Sequence, residues 1–171
     1  MTGCCSQRQV RISVPEVDAF LALIRGISDR WNSRVVFIGA DRVAGRDHVQ
    51  AALNHALRAE AAGTMISSRF EMEVLLYASG SRQIVHGSVF GLHPGENRAY
   101  LCLCPDSDGA WKELAPLVAP AGNENWEEIP PEKANLLMEL FSITAEELSV
   151  VGPDRMKDLV LERVVLLEDY R

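Results

Sequence analysis

The sequence predicts an α/β fold: a single domain with a mixed central β-sheet of about four strands surrounded by helices. Two patterns carry this reading. Short runs of alternating or uninterrupted apolar residues mark strands, and longer runs with apolar residues three and four apart mark helices. The two kinds mix without a strict β-α-β rhythm, which suits one sheet with helices packed around it. A length of 171 residues is that of one domain. Residues 1–171 are therefore read as a single unit, with residues 1–8 a flexible leader.

Residues 9–14 alternate, with Val10, Ile12 and Val14 on one face and Arg11 and Ser13 on the other, as in a half-exposed strand. Residues 15–31 place Val17, Phe20, Leu21, Ile24 and Ile27 near helical spacing. Residues 34–38 read as a short apolar strand in the middle of the sheet. The clearest helix spans residues 47–62, where Val49, Ala52, Leu53, Ala56 and Leu57 form one stripe. Asp47 can cap its start, with Gln50 three residues on, and Gly63 is a natural stop. A second helix runs from Ser68, at capping-box spacing from Glu71, to about residue 78. Its Phe70, Met72, Val74, Leu75, Leu76 and Tyr77 leave little polar face, so it should be buried on most sides. Ser79-Gly80-Ser81 breaks it, and a short helix follows from about Arg82 to before Gly91. Residues 98–104 are apolar on both faces and so read as an interior strand. Helices are expected at 110–118, 131–141 and 154–168, a further turn or two capped by Thr144 and Glu147, and a short strand near 126–129.

Hydrophobic residues make up 47% and charged residues 24%, which argues against disorder. No apolar run is long enough to span a bilayer, and residues 1–9 lack the apolar core of a signal peptide. A cytoplasmic location is therefore expected. The four cysteines fit that compartment. Cys4 and Cys5 are adjacent. Cys102 and Cys104 point the same way in a strand and read as small buried hydrophobes. The paired spacing of a zinc site is absent, so no metal is expected. The net charge of −7 argues against binding nucleic acid through bulk charge; any such contact must be local.

No catalytic constellation emerges, and neither an enzymatic activity nor a cofactor is expected. There is no GxxxxGK followed by Ser or Thr, and no GxGxxG after a strand. GxSxG is absent, and no cysteine has a local nucleophile signature. His48 and His55 share a helix face but stand about 10 Å apart by helical rise, too far to ligate one metal, and read as surface histidines. His86 and His93 lack an evident acidic or cysteine partner. Glu127-Glu128 reads as a solvated face.

Two places stand out. Residues 79–84 turn from one helix into the next, and a helix start offers N–H groups and positive dipole character to a phosphate or carboxylate. Gly80 would let a ligand backbone approach, Arg82 adds a fork of donors, and Gln83 can read a base edge or a ribose. An ordinary capped helix start with an exposed arginine would look the same. The second place is the last helix. Met156, Leu159, Val160, Val164 and Leu167 form one stripe, and Leu161, Val165 and Leu166 add apolar surface on other sides. Either this helix meets a protein partner or it is buried among its neighbours.

Residues 40–49 (ADRVAGRDHV), Asn54-His55-Ala56 and residues 70–84 (FEMEVLLYASGSRQI) resemble the small kinase-binding subunit of the KEOPS complex, the archaeal and eukaryotic TPRKB family. The specific block is 73–84. Residues 160–168 are similar to the family's ending more loosely, and the likeness covers residues 35–171. Arg82-Gln83-Ile84 after an intact Ser79-Gly80 resembles archaeal members. His86-Gly87, where such a helix is usually stronger, and Cys4-Cys5 in an extra leader depart from the pattern.

The resemblance implies one α/β domain without catalytic activity. It implies binding and stimulation of a kinase-like ATPase through that partner's N-terminal lobe. It also implies binding of tRNA by the single-stranded acceptor end. The complex installs threonylcarbamoyl on the adenosine beside the anticodon, a transfer performed by a separate subunit. Ser79, Gly80, Ser81, Arg82 and Gln83 match the motif and are the expected tRNA contacts. Ile84 matches too but is expected to be a core anchor. Arg42, Arg46 and Arg69 are the nearest other basic residues in sequence, and Arg46 and Arg69 are expected to join the tRNA contacts. The partner face is expected on Val49, Leu53, Met156, Val160, Val164 and Leu167. Two alternatives stand beside this reading. One is a self-associating interaction module, homodimeric when isolated, without a nucleic-acid role. The other is a small-molecule enzyme, which would need His86, His93 or Cys102 gathered around a cleft.

Overall fold

The structure, a computed structural model, describes residues 4–169. In chain order its elements are β1 (Ser6–Val14), α1 (Val17–Trp31), β2 (Arg34–Gly39), α2 (Arg46–Ala62), α3 (Phe70–Ser79), α4 (Ile84–Ser88), β3 (Gly95–Cys104), α5 (Asp108–Leu114), β4 (Ala119–Pro120), α6 (Pro131–Leu140), α7 (Ala145–Val151) and α8 (Met156–Asp169). They form two compact units, residues 4–39 with 91–124 and residues 40–90 with 125–169.

The first unit holds the sheet, in the order β2-β3-β1-β4. Alternation sends Val10, Ile12 and Val14 of β1, Val35 and Phe37 of β2, and Ala99, Leu101 and Leu103 of β3 to one face. There they form a core with Ile24 and Ile27 of α1 and Ala110, Trp111 and Leu114 of α5. Tyr100 and Cys102, on the other face of β3, are buried as well, as expected of an interior strand. The α/β class and the four strands agree with the sequence reading. Every pairing is antiparallel, however. β1 and β2 run the same way, but β3 lies between them, so no parallel ladder forms and the sheet is not mixed.

Three details of this unit differ from the sequence expectation. β1 begins at Ser6 and pairs Ser6↔Leu103 and Arg8↔Leu101, so residues 6–8 of the expected leader belong to the sheet. Residues 1–3 of that leader lie outside the described residues. The fourth strand is β4, set against Val10 and Arg11, not residues 126–129; a proline is tolerated there because β4 is an edge. Cys104 is bonded to Cys5 rather than being a buried thiol, while Cys102 is buried as expected.

The second unit is helical. In α2, Val49, Ala52, Leu53, Ala56 and Ala59 are buried, and in α3 every residue from Glu73 to Ser79 is. The near-absence of a polar face on α3 is thus explained. Glu73 is fully buried, and its carboxyl accepts the backbone N–H groups of Ile66 (3.1 Å) and Ser67 (2.8 Å). It straps the segment ahead of α3 to the helix. His48 and His55 are not surface residues: they are 1% and 5% exposed. Their seven-residue spacing places both on the buried stripe of α2. The His55 ring stacks on Tyr77 at 5.1 Å, and His48 meets Phe141 edge-on at 5.5 Å. Among the described residues no helix is long and apolar enough to cross a membrane.

Candidate functional site

The end of α3 is a Schellman turn. Gly80 adopts φ 65°, Ser81 N–H donates to Leu76 O at 3.2 Å, and Gly80 N–H donates to Tyr77 O at 3.1 Å. Ser79 is buried and its hydroxyl donates to Leu76 O at 2.9 Å, so that group is committed inside the fold. A Cβ built on Gly80 would come within 3.4 Å of the Arg163 carbonyl oxygen of α8. Gly80 is therefore required by the left-handed turn and faces the last helix rather than a ligand. Gly80→Ala should cost about 1–2 kcal/mol, read as a lower midpoint in urea denaturation.

Ser81 Oγ then accepts the Gln83 N–H at 3.1 Å and lies 3.0 Å from His86 Nδ1. This pinned turn projects Arg82, Gln83, Ile84 and Val85 outward. Ile84 is 56% and Val85 68% exposed, so Ile84 is not a core anchor. The short helix starts at Ile84, not at Arg82, and α4 has only five residues. Few peptide dipoles line up in so short a helix. What this stretch presents is a guanidinium, an amide and two apolar side chains.

His48 brings the start of α2 against the end of α3. Its Nδ1 accepts the Ala44 N–H at 2.9 Å, and Nε2 lies 2.8 Å from the Ala78 carbonyl oxygen. An amide N–H can only donate and a carbonyl can only accept, so the ring is the neutral Nε2–H tautomer. Burial pushes the His48 pKa down to about 4, against the pull of the Ala78 hydrogen bond and with help from the Lys133 charge.

This contact places Arg46, exposed at the first residue of α2, at the same end of the helix pair as Arg82. Arg69 precedes α3 at its other end, about 15 Å away by helical rise, and does not join them. Glu127 is exposed, in keeping with a solvated face, and its carboxylate accepts the Arg46 N–H at 2.9 Å and pairs with Lys157 Nζ at 3.0 Å. It sits over the N-terminus of α2, where a Cβ on Gly45 would approach its oxygen to 2.7 Å. The N-cap of α2 is Gly45, without a side-chain cap, rather than the expected Asp47, which lies inside the helix. Arg163 is likewise engaged, donating to both Glu147 oxygens at 2.8 Å and to Phe141 O at 3.2 Å.

The expected partner face needs correction. Val49, Leu53, Met156, Val160, Val164 and Leu167 are all buried. The regular apolar stripe is what the fold buries, and only apolar residues off the stripe remain for a partner. On α8 these are Val165, 48% exposed, and Leu166; on α7 they are Val150, 84% exposed, and Val151. A cleft of about 430 Å³ lies in this unit, lined by Ile129, Leu148, Met156 and neighbours with Glu127, Asp154 and Lys157. Neither histidine nor cysteine contributes to it. Among the described residues no group of three or more His, Cys, Asp or Glu side chains is placed to hold a metal ion.

Residues 17–168 match the family described as Kinase binding protein CGI-121. The Regulatory protein Cgi121 of Methanocaldococcus jannaschii is 29% identical over 155 residues, covering 85% of this chain and 97% of that protein. The match spans α1 to the last turn of α8, and the chain belongs to the CGI-121 family of kinase-binding proteins.

Proposed function

We propose that the protein is a non-catalytic, cytoplasmic subunit of the KEOPS complex, the assembly that makes threonylcarbamoyladenosine in tRNA. In this reading it binds and stimulates the kinase-like ATPase of the complex and helps recruit tRNA by its single-stranded acceptor end. The observation that carries the RNA part is the pinned turn that holds Arg82, Gln83, Ile84 and Val85 outward. A single-stranded end exposes phosphates, base edges and base faces together. The guanidinium suits a phosphate, the amide suits a base edge, and the apolar side chains suit a base face. A net charge of −7 leaves such a local contact as the available route to RNA. Arg46, at the same end, extends the cationic edge. Ser79 and Gly80 shape the turn from behind, and Arg69 is left out of the contact.

Support for the kinase partner comes from the family and from the regulatory relative in M. jannaschii. The docking face in this reading is Val165 and Leu166 of α8, which are apolar, exposed and off the buried stripe. The test is co-purification with the kinase-like ATPase from the same cells. The wild-type chain is expected to retain the ATPase and raise its ATP hydrolysis severalfold. The double variant Val165→Asp, Leu166→Asp should lose the partner while keeping its circular-dichroism spectrum. Retention by the variant would move the docking face elsewhere; failure of the wild-type chain to retain any kinase would overturn the reading.

A further inference from the structure

We propose that Cys5 and Cys104 form a reversible thiol–disulfide site that clamps the first strand into the sheet and is opened by a dithiol reductant. The ladder of β1 with β3 ends at Ser6↔Leu103. One step further out, Cys5 falls opposite Cys104, and their Cα atoms are 4.3 Å apart, the separation of a non-hydrogen-bonded antiparallel pair. The two sulfurs therefore meet without displacement of the backbone. Cys104 is buried within the central strand, whereas Cys5 is half-buried at the strand's open end. A thiolate from solution reaches the Cys5 sulfur first.

The step balances as ordinary exchange. One thiolate of the dithiol attacks Cys5 Sγ, the bond to Cys104 breaks, and Cys104 leaves as a thiolate that takes up a proton. The second thiol attacks the mixed disulfide and expels Cys5 as a thiol. The dithiol departs as a cyclic disulfide, having given two electrons and two protons to the Cys5–Cys104 pair. Once the bond is open, the strand end keeps its ladder and a few side-chain and backbone contacts, among them the Trp111 Nε1–H donated to Ser6 Oγ at 3.1 Å. The Asp106 N–H donates to Cys4 O at 2.9 Å, Ser6 Oγ donates to Asp106 at 2.6 Å, and the Arg8 guanidinium lies 3.9 Å over the Trp111 ring. The bond spans 99 residues of sequence, so it constrains the unfolded chain strongly. In a reducing compartment a bond with one reachable sulfur is set by the thiol pool, as redox-responsive disulfides are.

The test is thiol counting and melting of the full-length chain, before and after dithiothreitol. Unfolded without reductant, the chain should alkylate at Cys4 and Cys102 alone; after reduction, all four cysteines should alkylate. Peptide mapping should place the protected pair at Cys5 and Cys104. Reduction should lower the melting temperature by about 10 °C, and reoxidation should restore it. Cys5→Ser should melt at the reduced value and ignore dithiothreitol, whereas Cys4→Ser should behave as wild type. Four alkylated thiols in the air-oxidised chain, a bond mapped to Cys4, or equal melting of the two states would overturn the proposal. The thiol count on the wild-type chain decides the matter even where a variant fails to fold.

Discussion

Glu73→Leu should destabilise the protein by about 3 kcal/mol or more. The carboxyl is fully buried and accepts two backbone N–H groups, those of Ile66 and Ser67. Leucine removes both acceptors and leaves the buried Ser67 N–H and the part-buried Ile66 N–H without their partner, at about 1–3 kcal/mol for a fully buried group. Glu73→Gln keeps one carbonyl oxygen in place and should cost about half as much. Urea denaturation of the two variants beside the wild type provides the measurement. A midpoint for Glu73→Leu within 0.5 kcal/mol of wild type would mean that the strap ahead of α3 contributes nothing.

Acid should weaken the fold through His48. The ring is buried and neutral, with its pKa down to about 4 against an ordinary value of 6.5. The unfolded chain takes up a proton on this group as pH falls through about 6.5, while the folded chain does not until about 4. Stability from this group is therefore complete above pH 6.5 and drains away as pH falls towards 4, by about 3 kcal/mol in total. His48→Gln can still donate to Ala78 O but cannot titrate. It should be less stable than wild type at pH 7.5 and lose less stability than wild type between pH 6.5 and 4.5. Urea midpoints across that range decide the point, and equal slopes for the two proteins would remove His48 from the account.

Regular patterns were legible in the sequence and exceptions to them were not. The stripe of α2 (Val49, Ala52, Leu53, Ala56) and the alternation of β1 (Val10, Ile12, Val14) reveal the elements because burial repeats with the backbone period. His48 and His55 lie on that same α2 stripe, but the partners that let a polar residue be buried there include ones distant in sequence, here Ala78 and Tyr77. β4 is two residues long and contains Pro120, too short for any periodicity. The Cys5–Cys104 bond joins residues 99 apart, and spacing alone carries no pairing. At the candidate site, residues 79–84 were picked out correctly as a turn between helices. The division of labour within it was not legible. Ser79 is buried with its hydroxyl on Leu76 O, the Schellman turn sets Gly80 against α8, and Ile84 faces outward because α4 begins there and is too short to bury it.

The account rests on Arg82, Gln83, Ile84 and Val85 forming a landing place for a single-stranded RNA end. The direct measurement is the dissociation constant for tRNA at physiological salt, with and without its unpaired 3′ nucleotides, for wild type and for Arg82→Ala combined with Ile84→Asp. Both side chains are exposed, so the double variant should keep the circular-dichroism spectrum of the wild type. Its affinity for intact tRNA should fall about tenfold or more, the scale of losing one stacked base and one charged contact. Trimming the tRNA end should produce the same loss in wild type and little further loss in the variant. Undiminished binding of intact tRNA by the variant, or equal binding of trimmed and intact tRNA by wild type, would contradict the central claim.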